Sequence, residues 1–204
     1  MNLDKLHAAQ ASFLMRYPKG FDDPALEPIK KKHNVGKLIE LTQAVLTEEN
    51  CRKSDFVAST LLSIVSRCSM ISRFEKPQFK HFINALDSDE RDALAFAVRE
   101  RLHGNKRAGF EQICGMLAHH KIAKWAVISA VPFYFAPRRE VFVKPTTAKN
   151  IIEYLEVSDL HYEAMPRWAF YTGYRKLITA VKREVPKSLA PNNAALTGFL
   201  MLSA

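Results

Sequence analysis

Glycine is scarce in this chain, 7 in 204 residues. None belongs to a GxGxxG, GxxxxGK[ST] or GxSxG element, which excludes the common phosphate-cradling loops and the hydrolase nucleophile elbow. Cysteine is sparser still. Cys51, Cys68 and Cys114 stand 17 and 46 residues apart with no CxxC pair, so the usual zinc and thioredoxin-like spacings are missing. These three read as reduced, largely buried thiols of a cytoplasmic protein. The seven histidines, at 7, 33, 81, 103, 119, 120 and 161, form no HExxH or HxH element. His119 and His120 are neighbours and would point about 100° apart on a helix. His161 and Glu163 offer one edge of a ligand set without a third member. These patterns predict no metal, no cofactor and no catalytic residue; a site assembled only in three dimensions stays open as an alternative.

Long hydrophobic runs are missing too. The uncharged stretch from Trp125 to Pro137 falls short of the roughly 20 residues a membrane helix needs and is interrupted by Pro132. The stretch from Ser188 to Ala204 contains Pro191, Asn192 and Asn193. No membrane partner is expected, and the N-terminal residues do not read as a secretory signal. Apolar residues nevertheless make up 48% of the chain, enough for a core and too many for a disordered polymer. The length predicts one helical domain over 1–204, with a minor boundary near Gly104.

Proline and apolar spacing divide the chain into helices. Leu3 to Met15 carries Leu3, Leu6, Phe13 and Leu14 on one side. Asp23 and Pro24 open a short helix, Asn34 can cap the next, and Ser54 can cap one whose Phe56, Leu61, Ile64, Val65 and Cys68 are apolar. Pro77 starts another, and Ser88 with Asp89 and Glu90 another that stops at Gly104. Ala108–His119 and Ile122–Ala130 follow. VPFYF, APRR and EVFVK then read as two β-type runs around a turn, predicting a hairpin from Val131 to Lys144. A continuous helix followed by an extended connector is the other reading. Thr146 or Thr147 would cap the helix after it, Pro166 opens a long one, and Asn192 or Asn193 starts the last. The expected fold is all-α, a bundle of about eight to ten helices with one short hairpin.

Charge of one sign dominates one half. Residues 1–100 hold 15 Lys and Arg against 14 Asp and Glu, whereas residues 101–204 hold 15 against 7, so the net +9 divides as +1 and +8. Such asymmetry points to a polyanionic partner, and nucleic acid is the class it favours. Three places can supply phosphate contacts. Arg138 and Arg139 occupy the tip of the expected hairpin. Lys144, Thr146, Thr147 and Lys149 surround a helix start, where free amides attract anions. On the helix from Pro166, Phe170, Tyr174, Leu177, Val181 and Val185 define a buried face. Arg175 and Lys182 fall off it, with Trp168 and Tyr171 near its start to stack bases. Each has a plainer structural reading: a solvated turn, an ordinary helix cap, and the wet side of an amphipathic helix. A winged-helix arrangement is disfavoured, because IAKWAVISAV offers almost no donors to base edges. Leu196, Phe199, Leu200 and Leu202 form an apolar stripe that either docks on the parent core or pairs two copies as a homodimer. The expectation is thus a non-catalytic nucleic-acid-binding module, with a helical protein–protein scaffold as the alternative.

Overall fold

The computed structural model describes residues 1–203, and among them are eleven α-helices and no strand. In chain order these are α1 (Leu3–Arg16), α2 (Glu27–His33), α3 (Val35–Val45), α4 (Ser54–Arg67), α5 (Glu75–Ala85) and α6 (Ser88–His103). Then come α7 (Lys106–His119), α8 (Trp125–Phe135), α9 (Pro145–Tyr154), α10 (Trp168–Glu184) and α11 (Asn193–Ser203). The bundle is all-α as the spacing predicts, with one helix more than the upper count.

The core is organised around α8, the segment with no polar face. A helix apolar all round gains nothing from solvent and is driven inside. Ten of its eleven residues are buried, and α3, α4, α6 and α7 pack around it. Its two hydroxyls, on Ser129 and Tyr134, are satisfied internally, the Tyr134 one on the Cys68 sulfur at 3.2 Å. Ser129 Oγ donates to the Trp125 carbonyl at 2.7 Å and accepts from the Val143 amide at 2.9 Å. A second group of contacts joins α1, α9, α10 and α11, with Phe13 set edge-on to Phe199 at 5.4 Å. Leu196, Phe199 and Leu200 are all buried in this group, so the stripe proposed for pairing two copies is spent inside the chain; Leu202 stays partly outside.

The hairpin does not form. VPFYF is the second half of α8, since burial on every side outweighs the β-propensity of its aromatic and branched residues. The chain leaves the helix at Ala136, whose carbonyl accepts from the Arg139 and Glu140 amides at 2.9 and 2.8 Å, closing a tight turn. EVFV then runs extended and buried. Its Val141 and Val143 amides go to the Tyr171 hydroxyl and Ser129 Oγ, where a hairpin would have used a partner strand. The alternative reading, a helix and then an extended connector, describes what is found. Other boundaries shift for local reasons. Asp87, one residue before Ser88, caps α6 in a capping box with Glu90. Neither Asn34 nor Ser54 makes a side-chain cap, and Phe56 lies 38% exposed on α4. Asn192 does cap α11, accepting from the Ala195 amide at 2.9 Å.

Across Gly104 the chain doubles back, and α6 and α7 meet backbone to backbone. A Cβ on Gly109 would stand 2.3 Å from the Arg101 nitrogen and 2.5 Å from the Ala97 carbonyl oxygen. Gly115, on the same helix, faces open space. Substituting alanine at the two positions should therefore have opposite effects. Gly109→Ala is expected to lose about 3 kcal/mol or more through forced separation of the helices. Gly115→Ala should gain about 0.5–1 kcal/mol from helix propensity alone. Urea unfolding of both variants checks the pair, and a Gly109→Ala midpoint equal to wild type refutes the close approach.

Candidate nucleic-acid interface

Glu140, the residue that ends the turn and begins the extended run, is only 2% exposed, and so is its partner Arg101. A buried carboxylate survives ionised only if surrounded by donors. Here three helices provide them. Arg101 from α6 reaches Oε2 at 2.8 Å, and the Tyr171 hydroxyl from α10 donates to the same oxygen at 2.8 Å. Lys106, the first residue of α7, reaches Oε1 at 3.0 Å, and Arg175 from α10 reaches it at 3.3 Å. From α11, Asn193 Nδ2 donates to the Glu140 carbonyl at 2.9 Å. Burial alone would raise the Glu140 pKa, but the Arg101 charge and the hydrogen bonds from Arg101, Tyr171 and Lys106 outweigh it and hold the carboxyl at about 2. The Arg101 guanidinium also lies over the rings of Tyr171 and Trp168, 5.1 and 5.6 Å from their centroids.

This network decides the fate of the predicted site residues. Tyr171 is wholly buried against Trp168, Trp125 and Phe110, so it has no face to offer a base. Trp168 is half-buried between Phe110 and Arg101. Arg175 is committed to Glu140. Lys182 donates to the Arg138 carbonyl at 2.7 Å and to Asn193 Oδ1 at 3.1 Å, and burial with the nearby Arg138 charge lowers its pKa. Tyr171 belongs to the interior, and Trp168, Arg175 and Lys182, each partly exposed, brace its edge. Thr147 is buried with its hydroxyl on Met201 sulfur at 3.6 Å, and Thr146 caps nothing, because α9 begins one residue earlier, at Pro145. Pro145 fits that first position, where its missing amide leaves no gap.

Four cations remain outside. Arg138, Arg139, Lys144 and Lys149 are exposed and none makes an ion pair among the described residues; Lys149 lies over the Tyr162 ring at 4.9 Å. Arg138 and Arg139 are held on a fixed support. The Pro137 carbonyl accepts from the Asn193 amide at 2.9 Å, and the Arg138 and Glu140 carbonyls accept from Lys182 and Asn193. The chain matches no model of a known protein family, no curated protein and no solved structure, so its site is read from geometry alone. Elsewhere, no cluster of three or more His, Cys, Asp or Glu side chains suited to a metal occurs among the described residues.

Sequence patterning passed over Arg101, Lys106 and Glu140. Glu140 lies within EVFVK with no local sign of its role, and nothing local marks Arg101 as its partner 39 residues away.

Two measurements follow from the network. Glu140→Gln should cost about 3–5 kcal/mol, since it leaves Arg101 buried without a counter-charge. Tyr171→Phe, which removes one donor and keeps the ring, should cost about 1–3 kcal/mol. Because the Glu140 pKa is lowered on folding, its contribution is complete above the unfolded carboxyl value near 4.5 and lost as pH falls towards 2. That contribution is on the order of 3 kcal/mol. The acid slope of stability between those values should shrink in Glu140→Gln; an unchanged slope would assign it to other carboxylates.

Proposed function

We propose that the chain is a non-catalytic nucleic-acid-binding module that grips the sugar–phosphate backbone through residues 138–149. The observation that carries this reading is the pair Arg138 and Arg139, adjacent, exposed and without an acidic partner on a turn tethered by α10 and α11. The backbone that carries these cations is already ordered, so meeting a phosphate costs side-chain entropy but not the ordering of a loop. Lys144 and Lys149 flank the uncapped first turn of α9, which adds backbone donors to the same stretch. The buried run Glu140–Val143 spaces the two groups, and a fully extended chain sets Arg139 and Lys144 at most about 17 Å apart.

Among the described residues the aromatic ring that meets these cations is Tyr162, partly buried under Lys149. Contacts of this kind position a strand without reading its bases. Fluorescence anisotropy with duplex and single-stranded oligonucleotides tests the reading. Affinity should fall log-linearly with salt and vary little with sequence. The double variant Arg138→Ala/Arg139→Ala should reduce the salt slope by about two. Absence of binding at low salt, or binding indifferent to a fourfold rise in salt, overturns it.

A further inference from the structure

The Glu140 network is over-supplied with positive charge. Arg101, Lys106 and Arg175 all address one carboxylate, which leaves two charges uncompensated, and none of the three has another acidic partner among the described residues. The surplus lies towards solvent. Glu140 and Arg101 are 2% exposed, whereas the Lys106 and Arg175 side chains are 39% and 30% exposed. Lys106 and Arg175 also meet on the same oxygen, Oε1, at 3.0 and 3.3 Å. Their nitrogens are thus neighbours, and neither side chain makes another hydrogen bond among the described residues. Donors go short of acceptors inside as well, since Arg101 Nε is buried with no hydrogen-bond partner. Like charges crowded in a half-desolvated place repel one another, and an anion on the solvent side relieves that repulsion and takes up the spare donors of Lys106 and Arg175.

We propose that this surplus is the seat of a phosphomonoester dianion, bound between Lys106 and Arg175 on the outer side of Glu140. The charge decides the class. A backbone phosphodiester carries one negative charge, while a terminal phosphate carries about 1.5–2 at neutral pH and so matches the excess of two. Arg139 directly precedes Glu140 in the chain and is exposed, so the basic turn and the seat adjoin in sequence. The source of the phosphate is then the phosphorylated end of a nucleic-acid strand, and in this the inference rests on the function proposed above. A small phosphorylated molecule has the same chemistry.

One oligonucleotide should be compared in three forms, with a 5′-phosphate, with a 3′-phosphate and with hydroxyls at both ends. Titration calorimetry with inorganic phosphate tests the seat separately. A phosphorylated end should bind about tenfold more tightly than the hydroxyl form, the size of one charge-assisted hydrogen bond. Lys106→Ala and Lys106→Gln should erase that preference, checked against their thermal midpoints. Arg107→Ala, which loses the adjacent cation paired with Glu111, should keep it. If no strand binds but inorganic phosphate does, and Lys106→Ala abolishes its binding, the seat stands and the strand is overturned as its source. Equal affinity for all three strands together with no heat from inorganic phosphate overturns the seat itself.

Discussion

A single carboxylate that cannot reach water imposes the tertiary arrangement of this protein's second half. Glu140 must be neutralised where it lies, and the groups that neutralise it come from α6, α7 and α10, with α11 holding its carbonyl. Removing one partner from such a pair is costly because the other is left charged in a medium that solvates it poorly. The close approach of α6 and α7 at Gly109 belongs to the same constraint, since it brings the Arg101 backbone against α7. Alanine at that point would move the helix that carries the main counter-charge.

The network also shapes the surface. The turn before Glu140 has its carbonyls claimed by Lys182 and by Asn193, so the two arginines at its tip project from a braced backbone. Interior and exterior charge are therefore linked. Lys182 is consumed in holding the turn and Arg175 is shared between Glu140 and solvent, while Arg138 and Arg139 are left free. A basic half-chain thus separates into cations that build the fold and cations that face solvent.

Much of the architecture was legible along the chain. Proline positions and three-to-four apolar spacing marked most helices, and the buried face of α10 is the one its periodicity specifies. The apolar segment of α8 was recognisable as core from its lack of polar residues. The error at VPFYF has a clear cause: a short run apolar at every position looks the same as a buried strand or a buried helix. What separates them is what surrounds the run, and here helices do so on every side. Tyr171 is ambiguous in a related way. It flanks the apolar stripe of α10, and only its bond to a carboxylate 31 residues away shows that the helix buries this position too.

The sequence by itself determined the helical class, the faces that turn inward, and an excess of positive charge confined to residues 101–204, because these depend on neighbours a few residues apart. Only the tertiary structure decided which of those charges are spent. Ion pairing is set by distance in space, and the partners of Glu140 lie 31 to 39 residues from it along the chain, beyond the reach of any local pattern.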